Sequence, residues 1–155
     1  MDYEGLYKFH GHVCPMSTMG ARLGLAAMSA LGVTKVEQFY IEARCFMKNC
    51  ALDGVQFTTG CTFGNGNIAF EDGGRVEMVI SMRDGSRAVT VRISDAALER
   101  FAETKGRKAV LTEERAISGL PRAMEIDSEI KRATDALVLW VQSAPDGDLV
   151  AVTGP

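Results

Sequence analysis

The sequence predicts an α+β fold, and three observations carry that expectation. Helical and strand patterns follow one another in the order α-β-α-β-β-β, with further helices behind them, whereas a doubly wound fold would alternate strand and helix throughout. Asp72-Gly73-Gly74 and Asp84-Gly85 punctuate three short β-rich runs as hairpin signals would. The length of 155 residues suits a single domain, residues 1–155, built on one core.

Each element has its own signal. Proline suits a first helical position, so Cys14-Pro15 opens a helix that Gly32 stops, with Leu23, Ala26, Ala27, Ala30 and Leu31 on its apolar face. Gly20 and Gly24 lie four apart within it. Each costs roughly 1 kcal/mol against alanine, which close packing of another backbone on that face would explain. Val36 to Phe46 reads as a strand. Asn49 caps a helix over about Cys50 to Thr59, Gly60 ends it, and Gly64 and Gly66 mark a tight turn over Thr62 to Asn67. Strands near Asn67–Phe70, Arg75–Met82 and Arg87–Ile93 form an antiparallel meander. Ser94 caps a third helix that buries Ala97, Leu98, Phe101 and Ala102, and Thr112 caps a short fourth one that Pro121 breaks. A longer helix over about Met124–Gln142 and a short strand at Leu149–Val152 complete the chain.

Charge and hydropathy narrow the function. The net charge is −3 and the basic residues are scattered among acidic ones, so no nucleic-acid partner is expected. The longest nearly apolar stretch, Leu23 to Val33, has 11 residues, against roughly 18 to 20 for a membrane helix. Met1 to Gly5 lacks the basic start and apolar core of a signal peptide. A cytoplasmic protein with four reduced cysteines and no membrane contact is expected.

Two constellations carry chemistry. His10-Gly11-His12-Val13-Cys14-Pro15 holds both histidines of the chain. In extended backbone, positions i, i+2 and i+4 point to one side, so the three side chains converge just before a helix whose N-terminus favours a thiolate. Imidazole and thiolate are ligands for zinc, nickel, copper or iron. The second constellation runs from Cys50 to Asn67; in its helix Asp53, Gln56 and Gly60 share a face. A deeply buried Asp and Gln need partners. They either tether neighbouring backbone or line the pocket of the histidines. Cys45 has nothing near it to activate it, and the eight methionines read as core filler.

These constellations resemble the FmdE family, named for a component of formylmethanofuran dehydrogenase. The likeness runs through Phe9 to Pro15 and through Cys50, Asp53, Val55, Gln56, Thr59, Gly60, Cys61, Thr62, Gly64, Gly66 and Asn67. The resemblance implies a layer of helices on a mixed sheet, a homodimer, and a bound divalent transition metal, usually zinc. The family's conserved positions fall on His10, His12, Cys14, Cys50, Asp53, Gln56, Cys61 and Thr62. Met16 stands where the family commonly has glycine, and Asn65 where it commonly has lysine. No cysteine follows Cys61, so the expectation is the core domain without the Cys-x-x-Cys zinc finger of many members.

His10, His12, Cys14 and Cys61 are the expected metal ligands, with Asp53 as acid/base and Gln56 and Cys50 as further catalytic candidates. Cys50 and Cys61 lie 11 residues apart. A helix between them would separate their backbones by about 16 Å, so only one can join Cys14 on one ion. Cys61, beside the glycine-rich turn, is the expected ligand; a helix pointing Cys50 at the His-Gly-His segment is the alternative. Three functions remain open. The first is a metal site, catalytic with a position open to a small-molecule ligand. The second is a thiol redox or acyl-transfer enzyme using Cys14 or Cys61 with a histidine base. The third is an accessory or regulatory protein with a structural or sensory metal.

Overall fold

A computed structural model describes residues 1–34 and 39–154. The elements, in chain order, are α1 (Tyr3–His10), α2 (Pro15–Leu31), β1 (Ile41–Cys45), α3 (Ala51–Thr59), β2 (Ile68–Phe70), β3 (Glu77–Met82) and β4 (Ala88–Ile93). They continue as α4 (Asp95–Ile117), α5 (Leu120–Ser143), α6 (Asp146–Leu149) and β5 (Val150–Thr153). The α+β architecture is as expected. The expected strand start at Val36 lies outside the described residues, and β1 occupies the end of that segment.

The sheet order is β2-β1-β3-β4-β5. β1 and β2 run parallel, joined through α3, and every other pair is antiparallel. The meander expectation therefore needs correction. β1 inserts between β2 and β3, and the Asp72–Gly74 segment passes round its end instead of closing a hairpin. Phe46 carries that passage, donating to the Glu77 carbonyl and accepting from Arg75 N–H, at 2.9 and 3.1 Å. The β3–β4 hairpin is present as read.

Strict alternation sets the sheet's inner face. Ile41, Ala43 and Cys45 of β1, Met78 and Ile80 of β3, and Val89, Val91 and Ile93 of β4 are buried, while Glu42 and Arg44 face out. α2 lies against that inner face, with Met19, Leu23, Ala27 and Leu31 fully buried. The glycine expectation is met on the α3 side of α2. A Cβ on Gly20 would overlap the Ala51 backbone, one on Gly24 the Thr58 hydroxyl, and one on Gly54 the Ser17 carbonyl and Ala21 amide. Residue 20 faces 51 and residue 24 faces 58, so the two helices run in the same sense with their N-termini together.

Three departures concern helices. α1 has no counterpart in the expected element order, although Asp2 caps it by accepting from Gly5 N–H at 2.8 Å and Gly11 ends it in the left-handed region at φ 90°. α4 runs unbroken through Thr112, whose hydroxyl donates to the Lys108 carbonyl at 2.8 Å instead of capping a new helix. Leu98 is half exposed at 52%, because α4 turns mainly Ala97 and Leu111 inward. α5 returns antiparallel to α4, and its C-terminal carbonyls are held by Arg22 of α2, which donates to Val141 O at 2.6 Å and Ala144 O at 2.7 Å. Among the described residues, no helix is long and apolar enough to cross a membrane.

Two tests follow from this packing. Gly54→Ala should destabilise by roughly 1–3 kcal/mol through overpacking. Gly106→Ala on α4, where a Cβ meets nothing within 4 Å, should stabilise by roughly 0.5–1 kcal/mol. Urea unfolding of both variants checks the opposite signs. Burial, reinforced by the neighbouring Cys61, pushes the Cys45 thiol up to about 12 from an ordinary value of 9.0. The folded state holds that proton more tightly than the unfolded chain does. The resulting stability is complete below about pH 9 and is lost as pH rises toward 12. Cys45→Ala should lower stability at pH 7 but flatten its decline above pH 9, as read by denaturant midpoints across that range.

Candidate metal centre

Three helix ends build the site. Cys14 is the N-cap of α2 and Cys50 the N-cap of α3, and the glycine-mediated contact brings the two together. His10 arrives from the last turn of α1. One ligand atom from each of His10, Cys14 and Cys50 lies within 4.8 Å of the other two. Ligand atoms on one tetrahedral ion sit roughly 3.5–4 Å apart, given bond lengths of ~2.0–2.3 Å. Closing the group needs only small side-chain shifts.

The imidazole is oriented from behind. His10 Nδ1 lies 2.7 Å from Asp53 Oδ2. A carboxylate only accepts, so in the neutral ring Nδ1 carries the proton and Nε2 presents a lone pair. The His10 side chain is 7% exposed, and its Nε2 is buried without any hydrogen-bond partner. An orphaned buried polar atom costs about 1–3 kcal/mol, so this nitrogen fits a metal better than it fits the apo core. Asp53 is positioned in turn. Gln56 Nε2 donates to Asp53 Oδ1 at 3.5 Å, and Gln56 Oε1 accepts from Phe63 N–H at 3.3 Å. Asp53 and Gln56, expected as catalytic groups, thus form a chain that reaches His10 from the turn after α3. Such carboxylate–histidine pairs fix the ring and raise its basicity as a ligand.

Two expected ligands lie elsewhere. Cys61 is fully buried, and its thiol is 4.0 Å from the Ile41 carbonyl, beside β1. It follows Gly60 at the C-terminal end of α3, while the parallel packing of α2 and α3 presents the N-terminal end to Cys14. Cys50 therefore takes the place assigned to Cys61, and the catalytic candidate becomes a prospective ligand. Both do not reach one centre, because α3 intervenes as expected. His12 is exposed, with its ring 4.4 Å from that of His10, and it stands outside the group. The reason is local: His10 is helical and Gly11 left-handed, so residues 10–14 are not continuously extended and the expected i, i+2, i+4 alternation fails.

Electrostatics at the thiols pull in two directions. Burial raises the Cys50 thiol, and the neighbouring Cys14 adds to it through charge repulsion and a hydrogen bond. Two helix N-termini at the same point favour negative charge, and a bound cation would add to that pull. Cys61 is also raised, mainly by burial. Thr62 and Asn65 close the following turn. Asn65 Oδ1 accepts from the Thr62 and Asn67 amides, and its Nδ2 donates to the Gly60 carbonyl at 2.7 Å. Asn65 thus ties the turn to the end of α3. A larger cavity of about 400 Å³ lies on the outer sheet face, with Glu42, Arg44 and Ser81 in its wall and no thiol or imidazole.

Known proteins resemble this chain in sequence and in fold. The FmdE family profile, described as the molybdenum formylmethanofuran dehydrogenase operon, matches residues 9–151. A probable S-adenosyl-L-methionine-binding protein of Archaeoglobus fulgidus is 33% identical over 100 residues, which are 61% of this chain. The matched stretch spans only 27% of that relative's length. A solved FmdE-like protein of the tungsten formylmethanofuran dehydrogenase type, from Syntrophus aciditrophicus, superposes with a TM-score of 0.58 at 19% identity. That match covers 98% of this chain and 68% of the other, and at such identity it speaks for the fold. With the profile spanning nearly the whole sequence and the His10–Cys14 and Cys50–Asn67 blocks inside it, the chain belongs to the FmdE family.

Proposed function

We propose that this FmdE-type protein binds one divalent transition metal through His10, Cys14 and Cys50, with a fourth position open to a small molecule. The observation that carries the reading is the buried, partnerless Nε2 of His10 within 4.8 Å of the two thiols of Cys14 and Cys50. Two thiolates and one imidazole are a donor set that suits zinc, and three protein ligands are the pattern of catalytic rather than closed structural zinc sites. Such a metal, when bound, supplies Lewis acidity and a more acidic bound water. The chain's own residues hold its ligands: Asp53 fixes the His10 ring, and Gln56 fixes Asp53. His12 is exposed, with its ring 4.4 Å from that of His10. The four free cysteines suit a reducing compartment, the cytoplasm.

Elemental analysis for first-row metals, molybdenum and tungsten on untagged protein tests the reading. About one equivalent of zinc is expected. Cys14→Ser, Cys50→Ser and His10→Ala should each abolish retention on a desalting column, whereas Cys61→Ser should keep full stoichiometry. Asp53→Asn should bind about 10–100-fold more weakly, the usual cost of losing a metal histidine's carboxylate partner. Less than a tenth of an equivalent of any metal, with no uptake on titration, would refute the proposal. It would favour the thiol alternative, in which Cys14 or Cys61 is the nucleophile and a histidine its base.

We further propose a homodimer. Ile117, Leu120 and Met124 at the α4–α5 turn are 89%, 76% and 63% exposed, a cluster of large apolar groups at the tip of the helical hairpin. Sedimentation should give twice the chain mass of 16.7 kDa, and Ile117→Glu with Leu120→Glu should return it to the monomer value.

A further inference from the structure

A second cavity opens beside Cys14. It measures about 190 Å³ and lies between the start of α2 and the α4–α5 hairpin. That is about six times the ~30 Å³ that a water occupies in the liquid, and well below the ~300 Å³ or more of drug-sized or nucleoside pockets. Met16, Phe101 and Leu137 give it apolar walls, and Cys14 and Pro15 form the wall nearest the thiols.

The polar part of this wall has one sign. Lys105 and Lys108 both line the cleft, and no carboxylate does. The chain pairs lysines within helices elsewhere: Lys8 with Glu4 at 2.7 Å and Lys131 with Asp135 at 2.6 Å, both four residues apart. Around Lys105 and Lys108 the positions three and four away are Phe101, Ala102, Thr104, Ala109, Leu111 and Thr112, and each other. Among the described residues neither lysine forms an ion pair. Lys108 instead reaches across the hairpin to donate to Thr134 Oγ1 at 3.0 Å. Two like charges at i and i+3 on one helix repel, and an anion between them removes that cost.

We infer that this cleft binds a small anion with an apolar body, a short-chain aliphatic carboxylate or phosphate ester. Lys105 and Lys108 hold the charged end, and the apolar end lies along Met16, Phe101 and Leu137 toward Cys14. The inference deepens the metal-site reading and rests on it only for what the ligand meets beyond the Cys14 thiol. The cleft defines the ligand class through residues that are not themselves prospective metal ligands.

The test is calorimetric titration of the full-length protein, as purified, with butyrate, butyl phosphate and the neutral butyramide. Saturable binding of at least one anion is expected, with butyramide at least tenfold weaker. Lys105→Gln combined with Lys108→Gln should weaken the anion at least tenfold, while Lys131→Gln should leave it unchanged. Both targeted lysines lie on a solvated helix, and circular dichroism confirms that the variant folds. Equal affinity for anion and amide, unchanged affinity in the double variant, or no binding by either anion would overturn the proposal. Metal content measured on the same samples separates the two readings. Metal-free protein that still binds butyrate through the lysines removes the metal site and leaves the cleft. Metal-loaded protein with no preference for anions does the reverse.

Discussion

The contact on which the rest depends is the one between α2 and α3, where Gly20 and Gly54 let two helix backbones touch and Gly24 makes room for the Thr58 side chain. Ordinary helix pairs sit about 8–10 Å apart, separated by side chains. Removing the Cβ atoms at three facing positions draws the axes closer and fixes their register, with residue 20 against 51 and residue 24 against 58 and 59. The helices run in the same sense, so their N-termini coincide. Each terminus carries a cysteine at its N-cap. The thiol pair is therefore a consequence of glycine placement several residues away. The helix propensity given up at the three glycines is what positions it.

Two parallel N-termini side by side are electrostatically unfavourable for each other, because both present the positive end of a dipole. Something negative at that point resolves the conflict. A thiolate would do so, and it would in turn need a cation to be stable in a buried place. His10 completes the arrangement from the opposite polarity, at the C-terminal turn of α1. Its Nδ1 is tied to Asp53 on α3, so the helix that provides the Cys50 thiol also orients the imidazole facing it. The chain from Phe63 N–H through Gln56 and Asp53 to His10 extends that control to the turn after α3. Asn65 holds the same turn closed from within. A movement of that turn would reach the imidazole through three hydrogen bonds.

Much of this was legible in the sequence where the signal was local. Pro15, Gly32, Asn49, Gly60 and Ser94 each mark an element boundary through their own backbone chemistry; the structure places starts or stops at four of them, and Asn49, just before the Cys50 N-cap, accepts from Ala51 N–H. Gly20 and Gly24 announced a close backbone contact because nothing else explains two glycines on a buried helix face. What failed was non-local. Strand order depends on α3 returning β2 parallel to β1, and glycine-rich turns look alike whether they close a hairpin or pass round a neighbouring strand. The choice between Cys50 and Cys61 depended on the relative direction of two helices, which neither helix encodes alone; Gly54, opposite Gly20, was the overlooked sign that α3 packs along α2. The expectation for His12 assumed extended backbone, while Asp2, the Glu4–Lys8 pair and Gly11 were helix start, support and stop signals for α1.

The prospective metal ligands and the cleft's lysines sit on structurally different supports. His10, Cys14 and Cys50 stand on α1, α2 and α3, elements locked to one another by backbone contact and by buried residues such as Leu6, Met19 and Val55. Lys105 and Lys108 stand on α4, which buries little more than Ala97 and Leu111 and carries its charges into solvent. A substitution on α4 alters charge at the mouth of the cleft without touching the packing that aims the thiols. A substitution at Gly54 does the opposite. On the proposed reading, this division would let the thiol centre stay fixed while the ligand class changes through a few exposed residues. The FmdE match over residues 9–151 takes in the His10–Cys14 and Cys50–Asn67 blocks as well as the α4–α5 hairpin.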